Sequence, residues 1–139
     1  MKDTDNLRQE LMEAPSLDRF LSENQDSFNR SSVCSALNLL FQKQKISKSA
    51  LAKKSGMSEV YLHQVFSGRR TPSRIRLICL CFGLSATLEE TQELLKQCGY
   101  AQLYPKDRRD AIIFYGLMNE MSLLAINDKL FMENEETLF

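Results

Sequence analysis

Between Ser47 and Arg70 the chain reads SKSALAKKSGMSEVYLHQVFSGRR, two short helical patterns broken by one glycine. Ser47 has the side chain and position of an N-cap for a helix over residues 48–55, with Leu51 and Ala52 facing inward and Lys53 and Lys54 outward. Gly56 stops that helix, because glycine readily takes the left-handed conformation of a sharp exit. Ser58 caps the next helix, over residues 59–67, whose inner face is Leu62, Val65 and Phe66, and Gly68 ends it. Ala52 is small where the second helix crosses the first, Gly56 follows in the turn, and Leu62 and Val65 return to the inward face. These positions let two short helices pack at a steep angle, which few folds require.

The remainder is also helical in pattern. Residues 5–14 carry Leu7 and Leu11 on one face and end at Pro15, and Ser16 caps a short helix bearing Leu17, Phe20 and Leu21. From Ser31 or Ser32 to Gln44, Val33, Ala36, Leu37, Leu40 and Phe41 recur at three-and-four spacing. Thr71-Pro72 reads as a cap followed by proline at the first helical position, opening a helix with Ile75, Ile78, Leu80, Cys81 and Phe82. Thr87 and Glu90 have capping-box spacing ahead of Leu94, Leu95 and Cys98, and Gly99 ends that helix. Two more helices are expected, over about residues 106–119 and from a Ser122 cap to about Met132, with the acidic tail ENEETLF fraying beyond them. No alternating β-branched run proposes a sheet, and 139 residues suffice for one core with extensions.

Overall neutrality hides a division. Residues 1–29 hold three basic and seven acidic side chains, residues 30–88 ten and one, and residues 89–139 five and ten. A basic middle between acidic ends suits a polyanion, whose condensed counterions it would displace, although a solvated basic face would have the same composition.

Two capped helices about a glycine turn form a helix-turn-helix signature, and LAKKSGMSEVYLHQVFSGRRTPS resembles the Cro/C1-type (Xre-like) family through its L-A pair, turn glycine, second glycine and basic-to-proline exit. The likeness covers about residues 32–84. More loosely, the whole chain resembles small clostridial Xre-like proteins with a helical C-terminal extension, here LYPKDRRDAII. The resemblance implies an all-α, lambda-repressor-like core of five helices over residues 31–100, with helical extensions over 1–30 and 101–139. It further implies a sequence-specific regulator of transcription whose second motif helix enters the major groove of double-stranded DNA. Matched by position, Ser58, Glu59, Val60, His63 and Gln64 would face bases, Gln64 by pairing its amide with adenine, Val60 by meeting a thymine methyl and Glu59 by accepting from cytosine. Ser47, Lys48, Tyr61, Arg69, Arg70 and Arg74 would meet phosphates. The sequence departs from the family pattern at Glu59, usually neutral or basic, and at Ser55, usually aliphatic, a change expected to loosen the packing before the turn.

Other chemistry lacks an anchor. His63 is the sole histidine, no carboxylate pair or nucleophile has a partner at useful spacing, and no enzyme activity, cofactor or metal is expected. Cys34, Cys79, Cys81 and Cys98 lack CxxC spacing and stand among apolar residues, which predicts buried, reduced thiols. The absence of a leader pattern and of a membrane-length apolar run predicts a cytoplasmic protein. Ile112, Ile113, Tyr115, Leu117, Leu123, Leu124, Ile126, Leu130 and Phe131 must cover the core or form a homodimer or partner surface, and Arg108 and Arg109 have Glu89, Glu90 or Glu93 as candidate partners. The rival to a regulator is an adaptor or antitoxin-type protein that retains the scaffold with weak or autoregulatory DNA contact.

Overall fold

Along most of the chain a helix starts where a small oxygen-bearing side chain precedes an apolar stripe. The computed structural model describes residues 4–23 and 29–139, so parts of the expected N-terminal extension, residues 1–3 and 24–28, lie outside it. Its helices are α1 (Thr4–Glu13), α2 (Leu17–Glu23), α3 (Asn29–Gln44), α4 (Lys48–Ser55), α5 (Glu59–Phe66), α6 (Arg74–Gly83), α7 (Leu88–Gln97), α8 (Arg108–Met118) and α9 (Leu123–Met132), with no strand among the described residues. Ser47 Oγ accepts from Ala50 N at 3.0 Å and Ser58 Oγ from Tyr61 N at 3.1 Å, satisfying amide groups that the helices cannot pair internally. Thr87 and Glu90 form the full reciprocal box, at 3.1 and 2.9 Å. Helix α3 begins two to three residues before the expected Ser31 or Ser32.

The cap of α6 corrects the sequence expectation. Ser73, not Thr71, accepts from Arg76 N at 3.3 Å, and Pro72 precedes the helix instead of opening it. Pro72 is buried, and its carbonyl accepts from the Tyr100 hydroxyl at 2.6 Å. That bond fixes the chain before the helix can start.

Helices α3–α7 form the all-α, lambda-repressor-like core, in which α4 packs most extensively on α6 and α3 packs on α5 and α7. Leu37, Leu51, Leu62, Leu77, Ile78, Leu80, Leu84 and Leu95 are essentially inaccessible to solvent. Helices α8 and α9 extend the same buried cluster with Ile113, Leu117, Leu123, Ile126 and Leu130. They approach closely because Gly116 carries no side chain: a Cβ there would stand 2.6 Å from Ile126 Cδ1.

The tail does not fray. Leu138 is buried, and Asn127 holds it on both sides, accepting from Leu138 N at 2.6 Å and donating to Phe139 O at 3.2 Å. Arg108 and Arg109 pair with this tail and not with the glutamates of α7. Arg108 reaches Glu133 and Glu135 at 2.8 and 3.1 Å, and Arg109 donates to the carbonyls of Glu136 and Thr137 at 2.8 and 3.2 Å. The tail thereby crosses to α4, where the Phe139 ring lies 3.6 Å from the place a Cβ on Gly56 would take.

All four cysteines are free thiols. Cys79 and Cys81 are buried in α6, and burial pushes the first thiol up to about 11 and the second to about 12. Burial also raises Cys98, while Cys34 donates to Phe66 O at 3.2 Å.

Two measurements check this packing. Leu138→Ala should destabilise the protein by about 2–3 kcal/mol, seen as a fall of several degrees in Tm, whereas a frayed tail would leave Tm unchanged. At pH 8, Cys79 and Cys81 should resist iodoacetamide in the folded protein and react in denaturant, since a pKa near 11 cuts the thiolate fraction about a hundredfold.

Candidate nucleic-acid interface

The turn between α4 and α5 is set by two local events. Gly56 takes φ +67° and its N–H returns to Ala52 O, closing α4, and Ser58 in extended conformation opens α5. Helix α5 then buries Tyr61, Leu62, Val65 and Phe66 and leaves Ser58, Glu59, Val60 and His63 exposed, with Gln64 half-buried at their edge. The five residues expected to face bases therefore lie on one side of the helix, and Val60 among them is 68% exposed. Glu59 occupies the first turn of α5, where the positive end of the helix dipole favours a carboxylate. Its departure from the family pattern thus has a local stabilising reason.

Helix α4 brings its N-terminus beside this face. Lys48 Nζ stands 3.2 Å from His63 Nδ1 and 6.0 Å from the centre of the Phe66 ring. An ammonium can only donate, so Nδ1 accepts and the proton of a neutral His63 sits on Nε2, directed outward as a donor. Ser47 and Ser58 use an oxygen lone pair as caps, which leaves each hydroxyl proton available to an anion.

On the other side of α5, Tyr61 serves as a platform. Its ring is buried, with Arg76 Cζ 4.5 Å and Arg70 Cζ 5.5 Å from the ring centre. Stacking on an aromatic face restrains a guanidinium without consuming its hydrogen-bond donors. Arg69 and Arg70 are exposed where the chain leaves α5, their amides bonded back to Gln64 O at 2.9 and 3.2 Å, and Gly68 makes the turn at φ +81°.

Arg74 is not part of this group. Its guanidinium donates to Ala101 O at 2.8 Å, to Gln102 O at 3.4 Å and to Asp110 Oδ2 at 3.2 Å, tying α6 to α8. Three of its five N–H donors are engaged inside the fold, a use other than the phosphate contact expected of it. Arg76, overlooked in the sequence, takes the outward place. Side chains two residues apart on a helix point about 200° apart, so only one of the pair can reach Tyr61. Choosing Ser73 as the cap would have given the signal.

Ser55 also behaves otherwise than expected. It is buried, its hydroxyl donates to Leu51 O at 2.6 Å, and its small side chain lets Gly83 of α6 approach so closely that a Cβ there would stand 3.0 Å from Ser55 Cβ. The serine tightens the crossing before the turn.

No helix among the described residues is long and apolar enough to cross a membrane. No curated protein and no solved structure matches the chain. Residues 37–85, from the middle of α3 through the end of α6, match the family model described as Helix-turn-helix. Two capped helices about a left-handed glycine, packed on an all-helical core and covered by that match, identify this segment as a Cro/C1-type (Xre-like) helix-turn-helix, a DNA-binding unit.

Proposed function

We propose that the protein is a sequence-specific regulator that inserts α5 into the major groove of double-stranded DNA. The observation that carries this reading is the exposed face of α5 between two sets of cations. Val60, His63 and Gln64 lie between Lys48 at the start of α4 and the Arg69, Arg70 and Arg76 group beyond. Gln64 reads adenine through its amide, His63 offers Nε2–H to a base acceptor, Val60 meets a thymine methyl, and Glu59 accepts from cytosine. Ser47, Lys48, Arg69, Arg70 and Arg76 hold phosphates and set the register of the helix, and Ser58 offers its hydroxyl proton on the base-facing side. Tyr61 contributes by holding its two arginines.

One domain of this size gains affinity by binding paired half-sites. We assign pairing to α8 and α9, which expose Tyr115, Met118, Leu124, Phe131 and Met132. The three-part organisation, with an N-terminal extension over 1–30, the DNA-binding part over 31–100 and a C-terminal part over 101–139, belongs to the same proposal. An adaptor or antitoxin-type protein would use these helices for a different partner, and salt separates the readings, since phosphate contacts weaken steeply with added salt and apolar contacts do not.

Selection of duplexes from a random library at near-physiological salt should recover a motif with the wild-type protein and none with Arg69→Ala/Arg70→Ala. A two-fold repeat in that motif would report the dimer. Recovery of nothing by well-folded wild type would favour the adaptor. Gln64→Ala should relax preference at one position, at a cost of about 1–3 kcal/mol on the best sequence, while equal loss on every sequence would remove its base-reading role. Arg76→Ala should weaken all duplexes alike and lower the salt slope by about one, and Arg74→Ala should lower Tm and leave that slope unchanged.

A further inference from the structure

We propose that the groove between α3 and α7 receives a basic amphipathic helix of a partner protein. The groove encloses about 430 Å³, with Ala36, Leu39, Leu40 and Leu94 along its floor and Glu89, Glu90 and Glu93 on its α7 wall. It is open along one side and runs for about two helical turns of each wall, a shape for a helix and not for an enclosed small molecule. Leu39 is 67% exposed there, although it stands between buried Leu37 and Leu40 on a helix that is otherwise well packed.

Three features set the partner's charge. Glu90 closes the capping box of α7 and lies 3.9 Å from Lys43 across the groove, in an exposed pair that solvent already weakens. Glu89 and Glu93 make no ion pair among the described residues, and Glu93 lies beyond the first turn, so neither cap nor helix dipole accounts for it. At the end of the groove the carboxamide oxygen of Gln97 is buried without a hydrogen-bond partner, an uncommon state for an acceptor. Carboxylates and an unpaired acceptor all require donors, which lysine and arginine supply.

The same charge argues against a second copy. The exposed apolar side chains of the N-terminal helices stand on acidic ground: Leu11, Met12, Leu17 and Leu21 belong to α1 and α2. Those two helices carry Asp5, Glu10, Glu13, Asp18 and Glu23 against Arg8 and Arg19. In α8, α9 and the tail, Arg108 and Lys129 are already paired with Glu133 and Glu135, Arg109 is bound to the tail's carbonyls, and Lys53 and Lys54, near exposed Leu124, stand on a different helix from it, so no one helix there is both basic and apolar. None of the groove residues belongs to the DNA-facing set, so both surfaces can be occupied together.

The test uses the full chain and a fluorescent synthetic helix with leucines at i, i+4 and i+7 and lysines on both flanks, compared by anisotropy with the same helix carrying glutamates for the lysines. The basic helix should bind about tenfold more tightly than the acidic one at low salt. Leu39→Ser, at an exposed position, should abolish most of that binding, and Glu93→Lys, alone or with Glu89→Lys, should reverse the preference. Arg69→Ala/Arg70→Ala should bind the basic helix as wild type does, so loss of DNA binding leaves this result untouched. Equal binding of both helices, no binding of either, or binding unchanged by Leu39→Ser overturns the proposal. So does a wild-type dimer in sedimentation that Leu39→Ser dissociates, because a second copy would then fill the groove.

Discussion

Helix α4 reaches α6 as closely as it does because Gly83 has no side chain and Ser55, facing it, carries only a hydroxymethyl group. A Cβ on Gly83 would meet Leu51 Cδ1 and Ser55 Cβ at 3.0 Å, so the two backbones touch where any larger pair would hold them apart. The turn and the exposed face of α5 hang from this contact. Ser55 is the last residue of α4, Gly56 turns the chain, and α5 starts three residues later. A shift at the crossing therefore moves the recognition helix directly. The contact is also where burial is concentrated, since Leu51, Leu77, Ile78 and Leu80 surround it without solvent access. At roughly 1.5–3 kcal/mol for each such side chain, this burial outweighs the exposed ion pairs, worth about 0–1 kcal/mol apiece.

A second link reaches the same turn from the far end of the sequence. The Phe139 ring covers Gly56, Leu138 is buried beneath, and Asn127 holds both by their backbones. The Arg74–Asp110 pair, largely shielded from water, joins α6 to α8, and Asp110 also accepts from Tyr104 N at 3.0 Å. Such a pair contributes little net stability beyond its desolvation cost, but removing one member leaves a buried charge alone. Its role is placement: it keeps the C-terminal helices in register with the helix that carries Arg76.

What the sequence made legible was local. Caps at Ser47, Ser58, Thr87 and Ser122 and stops at Gly56 and Gly68 depend on residues within one turn, and all form as read. Errors arose where distant residues decide. Pro72 looks like a helix opener until Tyr100, 28 residues later, bonds its carbonyl. Arg108 could as well have met α7, and only the return of the tail supplies Glu133 and Glu135. ENEETLF is acidic and reads as solvated, yet the one buried leucine and its asparagine clamp order it. At the candidate interface the outward residues of α5 were legible from its period, whereas the choice of Arg76 over Arg74 turns on a cap shift of two residues.

The uniform neutrality of the composition now has a spatial account. Two of the tail's three glutamates, Glu133 and Glu135, are matched within the C-terminal helices by Arg108 and Lys129, so they do not compensate Arg69, Arg70 or Arg76. Charges separated by more than about 8–10 Å in physiological salt are largely screened from each other, so zero net charge places no limit on a local positive field. In the proposed complex the arginines on Tyr61 would act on phosphate at contact range, where screening is least. Glu59 stands on that face in the first turn of α5, where the helix dipole favours it, and under the proposed function a duplex would have to bring a donor there to compensate the carboxylate, which phosphates alone cannot do.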